Sequence, residues 1–241
     1  MTRILEQFQV KLANLREDAR RWGWARTLLL RAMTHLLRLA GMHIDRVGLR
    51  PLVKHPPDPK LPVRITLRVL EAEDLLSAAA DPELDMSVEF VRGALARGDM
   101  AFGAFEDDRL VGYSWRTFSA VPHCGDLWAR VDQPYHFGYK AFTRASHRGM
   151  RIHAAVALFS DAYLLERGYI AEVGFVDITN FSSLGVAKHL GRQRIGYTGY
   201  AKWFGRYLTF RTPAVRKIGA ELFEPGRYAK PQGQPVPVAE G

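Results

Sequence analysis

Apolar positions along this chain recur at two spacings, and the spacing changes where the chain changes element. Leu5, Phe8, Leu12 and Leu15 lie three and four residues apart. From Trp22 to Met42 the apolar positions thicken (Trp24, Leu28, Leu29, Leu30, Met33, Leu36, Leu37, Leu39), with Thr27, Arg31, Thr34 and Arg38 between them at helical spacing. Residues 1–40 therefore read as one or two amphipathic helices. The proline-rich stretch Pro51–Pro62 can neither continue a helix nor feed a ladder, so it predicts a stiff linker and a domain boundary. Val63–Leu70 alternates as a strand, and Glu71–Ala80 and Ser87–Arg97 read as helices. Met100–Phe105 and Leu110–Phe118 predict a hairpin turning at Glu106–Arg109. Ser119–Gln133 reads as loop.

The second half repeats an order of strand, helix, strand, helix, strand. Tyr135–Phe142 is an apolar, aromatic strand. A polar loop follows at Thr143–Met150, then a helix with Ile152, Val156, Phe159, Tyr163 and Leu164 on one face. Tyr169–Ile178 alternates again. Asn180 is placed to cap a short helix that Gly191 ends, and Gln193–Phe204 is a further strand. Aromatics continue to Phe210, Pro213–Leu222 predicts a short helix, and Glu224–Gly241, with four prolines and three glycines, reads as a disordered tail.

The junction of Tyr135–Phe142 with its helix holds candidate chemistry. The first amides of a helix have no internal partners and the dipole adds positive charge, so a strand–loop–helix junction attracts anions. Arg144, His147, Arg148 and Arg151 strengthen that attraction. Two readings stand side by side: a diphosphate cradle, and an ordinary junction with solvated arginines.

The wider pattern resembles the GCN5-related N-acetyltransferase (GNAT) superfamily over about residues 62–212. Arg148-Gly149-Met150-Arg151-Ile152-His153 occupies the place of the family's R/Q-x-x-G-x-G/A loop, and Asn180, Ser183 and Gly191 match its second motif. The resemblance implies an α/β (α+β) fold with a mixed, mostly antiparallel central sheet flanked by helices. It implies acyl transfer from acyl-CoA, acetyl-CoA or an acyl carrier protein to an amine, and the altered loop, the aromatic load and the basic amphipathic N-terminus lean toward a medium or long acyl chain or a lipid-associated acceptor. Donor contacts would come from Phe142, Thr143, Arg144, Arg148, Gly149, Met150, Arg151, Ile152, His153 and Asn180, with an oxyanion donor in the backbone near Phe142–Arg144. His136 is the candidate general base, with a pKa suited to neutral pH, and Asp177 and Glu172 compete for that role. Arg151 and His153 stand where the family has glycine or alanine, and Ala187 stands where many members have a tyrosine acid. Tyr197 and Tyr200 are the replacements, and His189 is a weaker one. Trp115, Trp128 and Tyr135 could line an acceptor pocket or fill the core. The rival reading is a catalytically degenerate binding or scaffold module.

Charge refines the picture. The net charge of +9 is uneven: residues 1–50 carry +6, residues 71–108 carry −9 and residues 186–230 carry +8. The acidic middle argues against nucleic acid. The basic ends suit phosphates, an acidic carrier protein or an anionic membrane surface meeting residues 20–42. The same helix could instead pack on its own domain or on a second copy. The lone Cys124 fits a reducing, cytoplasmic compartment, with attachment to the inner membrane face under the membrane reading; it reads as packing, and no spacing points to a metal. No uncharged apolar run is long enough for a transmembrane helix. The expected organisation is a helical extension (1–50), a linker (51–62), a GNAT-like domain (63–212) and a tail (213–241).

Overall fold

The computed structural model describes residues 19–20, 23–55 and 60–227. The expected stripe from Leu5 to Leu15, Trp22 and the tail from 228 onward lie outside the described residues. Helix α1 is Trp24–Leu39, followed by β1 (Met42–Pro51), β2 (Ile65–Leu70), α2 (Ala72–Ala78), α3 (Val88–Ala96), β3 (Met100–Glu106) and β4 (Arg109–Thr117). Next come β5 (Val121–Cys124), β6 (Leu127–Arg130), β7 (Tyr135–Thr143), α4 (Ile152–Leu165), β8 (Ala171–Asp177) and α5 (Phe181–His189). The chain closes with β9 (Gln193–Trp203), β10 (Arg206–Arg211), α6 (Pro213–Lys217) and β11 (Glu221–Phe223).

Eight strands form the main sheet in the order β10-β9-β1-β8-β7-β4-β3-β2. Neighbours are antiparallel except for β7 and β8, which run parallel and are joined across α4. The fold is thus mixed α/β with a mostly antiparallel sheet. Ser119–Gln133, expected as loop, holds two strands, and β5 and β6 join β11 in a second, three-stranded sheet. Strands of four residues are too short for alternation to stand out in sequence.

The largest departure lies at the N-terminus. The expected helical extension to residue 50 ends at Leu39, and Met42–Pro51 is an internal strand of the main sheet. Asp45 pairs with Asp177 on one side and Thr198 on the other, and Val47 pairs with Phe175 and Gly196. The proline-rich stretch is correspondingly no domain boundary at its start, because the Leu52 amide donates to the Ile170 carbonyl at 3.0 Å and the Val53 amide to Asp161 at 3.2 Å. A strand buried between two partners takes its stability from non-local pairing, which helical periodicity upstream cannot reveal.

Alternation along the strands sorts the core onto two faces. On one face, α2 and α3 bring Leu75, Ala78 and Val91 against Ala101, Phe105, Tyr113 and Trp115. The second sheet covers the same face further along, where Val121, Leu127, Ala129 and Leu222 meet Val47, Phe137, Val173 and Phe175. Trp115 is fully buried there, which makes it core rather than pocket lining. On the opposite face α4 lays Ile152, Val156 and Leu164 on Phe102, Ala104 and Val111. Helix α1 turns Thr27, Leu30, Thr34 and Leu37 inward and leaves Trp24, Leu28, Leu29, Leu36 and Leu39 exposed.

Candidate functional site

The site begins where β7 and β8 part. Their parallel pairing covers only Tyr135–Phe137 against Ala171–Val173, yet β7 continues to Thr143 beside β4 and β8 continues to Asp177 beside β1. Beyond Phe137 the β8-facing edge of β7 opens a gap in the middle of the sheet. A bulge lies in this stretch of β7 itself: Ser114 and Trp115, adjacent on β4, pair with Ala141 and Tyr139, so Lys140 is the extra residue; such bulges raise the local twist and bend the bulged strand.

The β7–α4 loop lies at the far end of β7. A turn of 3-10 helix (Ala145–His147) leads to Gly149 at φ 87° and Arg151 at φ 60°. Arg151 is the N-cap of α4, and no side chain caps the helix. The first amide bond of the helix is Ala155 to Arg151 at 3.0 Å, so the amides of Ile152, His153 and Ala154 have no partner within the helix. Arg151 thus adopts the left-handed conformation that glycine takes at low cost. Arg148, Gly149, Met150 and Arg151 are exposed. Arg144 is not available to a ligand as expected: its guanidinium is closed in ion pairs with Asp81 and Glu83 and its Nε donates to the Leu110 carbonyl at 2.7 Å. Its own amide donates to the Val111 carbonyl. Phe142 stacks on Tyr113, Thr143 is half-buried and Ile152 is in the core. Asn180 caps α5, accepting from the Ser183 amide at 3.0 Å.

Beneath the gap, on the α4 face, lies a closed charged cluster. Arg50 grips Asp161 with both terminal nitrogens, at 2.6 and 2.7 Å, and reaches Glu172 at 2.7 Å. Arg192 also pairs with Glu172, and Arg116 stands 3.8 Å from it while donating to Ser114, Ser160 and the Trp115 carbonyl. Glycine makes the room: a Cβ at Gly138 would collide with the Glu172 carboxylate and one at Gly174 with the Arg192 guanidinium. Burial opposes ionisation of Glu172, yet Arg116, Arg192 and Arg50 hold its carboxyl well below the usual range. It is therefore a fixed anion, not a base.

His136, expected as the proton acceptor, sits at the edge of this cluster with no exposed surface and no hydrogen bond to either ring nitrogen. Burial, reinforced by Arg116, pushes it down to about 3. It is a neutral packed ring against Phe118 and Tyr169, out of reach of an incoming amine. His153 lies within the same field and burial pushes it down to about 4. Tyr197 pairs with Arg46 and accepts from Arg194; by strand alternation it projects to the face opposite Tyr200.

The other face carries a second group of ionisable residues, and it opens to solvent. His43 Nε2 and His123 Nε2 approach the same oxygen of Asp45, at 3.0 and 2.8 Å. Asp45 is 1% exposed. Burial opposes its charge, but the two imidazoles hold its pKa below the ordinary value, and its hydrogen bond raises that of His43. Asp177 stands 3.5 Å from His43 Nδ1, with its other oxygen fixed by the Thr179 amide and hydroxyl. Tyr200 stacks on His43 with ring centroids 5.5 Å apart. Beside them a cleft of about 340 Å³ is walled by Thr34, Leu37 and Arg38 of α1, by Gly41–Ile44, and by Asp177, Thr179, Tyr200 and Lys202. Of these, only Asp177 and Tyr200 were legible as candidates. The others come from distant segments, and the sole local signal is His43-x-Asp45, two residues that share one face of a strand.

No family model and no curated protein matches the sequence. Several solved structures are similar in fold. A GCN5-related N-acetyltransferase from Sphaerobacter thermophilus is 16% identical over 76% of this chain and 56% of its own, with a TM-score of 0.49. One from Kribbella flavida is 14% identical over 67% and 59%, with a TM-score of 0.40. An aminoglycoside acetyltransferase from an uncultured soil metagenomic sample, solved with sisomicin, is 13% identical over 53% and 87%, with a TM-score of 0.39. The chain thus spans little more than half the length of the first two. At these levels the likenesses carry nothing further, and the reading below rests on the chain's own geometry and motifs.

Proposed function

We propose that this protein transfers an acyl group from an acyl-CoA thioester to an amine, across the gap between β7 and β8. The observation that carries the reading is the parting of these two strands, with an uncapped helix N-terminus at the end of β7 and a cleft holding Asp177 at the end of β8. The edge of β7 beyond Phe137 has no strand beside it toward β8. Backbone groups on such an edge need partners, and an extended arm built from amides, as in pantetheine, can supply them. The diphosphate of the donor then falls at the start of α4, on the amides of Arg151–Ala154, with the side chains of Arg148 and Arg151 as counter-charges. The thioester lies in the gap, where an amide of β7 can receive the oxyanion.

The acceptor enters from the opposite face. Asp177, 38% exposed at its side chain, faces the cleft and binds the acceptor's ammonium group, while Tyr200 and Lys202 border its path. The ammonium gives one proton to solvent, the neutral amine attacks the thioester carbonyl to form the C–N bond, and the C–S bond breaks as the second amine proton passes to the leaving thiolate, which releases the CoA thiol.

A lipid-borne substrate is the finer reading, favoured by the surface around the cleft. Exposed Leu28, Leu29, Leu36 and Leu39 on α1 and Trp203, Phe204 and Leu208 at the β9–β10 tip lie near Arg38, Lys202 and Arg206. The Lys202 amide donates to Gly41 at 2.7 Å, which ties the hairpin to the end of α1. An apolar surface with a basic rim suits an anionic bilayer; no described helix is long and apolar enough to cross one. The basic C-terminal region would suit an acidic carrier protein as donor by the same electrostatics.

The test is amine-dependent thiol release from acyl-CoAs of graded chain length, with calorimetry of CoA binding. Arg151→Glu is expected to raise the CoA Kd about tenfold or more, since it sets a carboxylate beside two phosphates. Absence of CoA binding to the wild-type protein would sink the reading. Flotation on anionic vesicles tests the lipid arm separately.

A further inference from the structure

We infer that His43, Asp45, His123 and Cys124 form a zinc site that fastens the second sheet to the main sheet. Their ligating atoms, one from each side chain, all lie within 4.8 Å of one another. Two local features bring them together. His43 and Asp45 alternate on β1 and so share one face. In β5 the register against β6 shifts between Pro122 and Cys124, so His123 is the extra residue of a bulge. A bulge re-aims side chains, and here His123 and Cys124, which would diverge on a regular strand, both reach the same centre.

The spacing brackets that of a tetrahedral ion: the two short N···O contacts open slightly, and the widest separations in the set, up to 4.8 Å, close by about 1 Å. With Zn–N and Zn–O bonds of about 2.0–2.2 Å, tetrahedral ligands stand about 3.3–3.5 Å apart. The two imidazole nitrogens now stand 3.0 and 2.8 Å from Asp45 Oδ2, so these two pairs expand by a few tenths of an ångström as an ion enters. Two imidazoles, a carboxylate and a thiolate form a donor set of zinc type. The carboxylate and the thiolate together neutralise the dication, which suits a place where Asp45 is 1% exposed. On binding, the Cys124 thiol gives its proton to solvent, and the His43 and His123 Nε2 lone pairs turn to the metal.

The surroundings hold the ligands in place. His43 Nδ1 faces Asp177 at 3.5 Å, the carboxylate–histidine arrangement that orients metal-bound imidazoles. Tyr200 stacks on His43, and His123 stands edge-on to Phe137 and Phe175, with ring centroids 6.1 and 5.5 Å apart. Four protein ligands leave no open position, as in structural zinc sites. The role is therefore a clamp across the floor of the cleft. It goes beyond acyl transfer and does not depend on it.

The experiment uses the full chain, free of any affinity tag, stripped with a chelator and titrated with Zn²⁺ by calorimetry and with Co²⁺ by absorption. One ion per chain is expected, with a sulfur-to-cobalt charge-transfer band in the Co²⁺ form. Cys124→Ser is nearly isosteric; it should abolish that band and weaken Zn²⁺ binding by a hundredfold or more. Asp177→Asn should weaken it about tenfold, the scale of an outer-shell partner. Circular dichroism of each apo variant confirms that it is folded. Failure of the folded wild-type chain to bind Zn²⁺ stoichiometrically overturns the site, as does binding indifferent to Cys124→Ser and to His123→Ala.

Discussion

On the α4 face of the sheet, Glu172 is enclosed by Arg50, Arg116 and Arg192, with a side chain 4% exposed. Five residues along the same strand, on the opposite face, Asp177 is 38% exposed and opens to a cleft. The two carboxylates differ by one odd step in a period of two, and that step decides what each can do. On the closed side each terminal oxygen and guanidinium group meets protein, and Gly138 and Gly174 leave the space for it. Such a cluster holds elements together, because removing one partner strands a buried charge. On the open side, His43 and Asp177 keep solvent access and have capacity for a ligand. A perturbed ionisation state is thus a poor guide by itself: Glu172 and His136 are the more strongly shifted, and both belong to the structural side.

Strand β1 supplies both faces, Arg50 to one and His43 with Asp45 to the other, so its removal gives the largest effect. A chain beginning at Leu52 is expected not to fold cooperatively, because β9 and β10 lose their link to β8. Cooperative thermal unfolding of that fragment would show that β1 is an accessory to both sites.

Glu172→Gln and Asp177→Asn divide the faces next. Glu172→Gln is expected to cost about 3–5 kcal/mol in denaturant unfolding, as for one partner of a buried ion pair. Asp177→Asn should cost about 0.5 kcal/mol or less in the metal-free protein and instead raise the KM for the amine about tenfold. Equal losses of stability would erase the distinction.

Acid sharpens the same contrast. The carboxyl of Glu172 has a folded pKa below its unfolded value, so its stabilisation is full above the unfolded pKa and is lost as the pH falls through the folded one. Unfolding free energy should drop below about pH 4.5, and Glu172→Gln should flatten that limb. An unchanged slope would place the acid-sensitive group elsewhere.

The smallest effect concerns Arg151, whose φ of 60° is left-handed. Arg151→Gly should stabilise the fold by about 1 kcal/mol by relieving the strain of that conformation. CoA affinity decides its second role. A fall assigns the side chain to the diphosphate, and a rise makes it an obstruction to the donor.

Much of the frame was legible because its signals are local. The hairpin β3–β4, the strand and loop before α4, and the Asn180 cap all follow from periodicity and end chemistry within about ten residues. Even Arg151, which breaks the glycine pattern, sits in the glycine conformation. The site was far less legible. His136 looked suitable by position and intrinsic pKa, but Phe118 and Tyr169 pack against it and the charges of Arg50 on β1, Arg116 on β4 and Arg192 just before β9 oppose its protonation. Arg144 looked like a phosphate ligand, but Asp81 and Glu83, some sixty residues away, occupy it.

The sequence by itself determined the alternation of strand and helix from residue 63 onward, apart from the second sheet (β5, β6 and β11), together with the uncapped basic start of α4 and the amphipathic character of α1. Those properties reside in neighbouring residues and in the period of the backbone. Only the tertiary structure decided that Met42–Pro51 lies between β8 and β9, that β7 and β8 part after three paired residues, and that His43, Asp45 and His123 converge. Strand partners are chosen across the whole chain by packing on two faces at once, and no local period records which strand lies alongside.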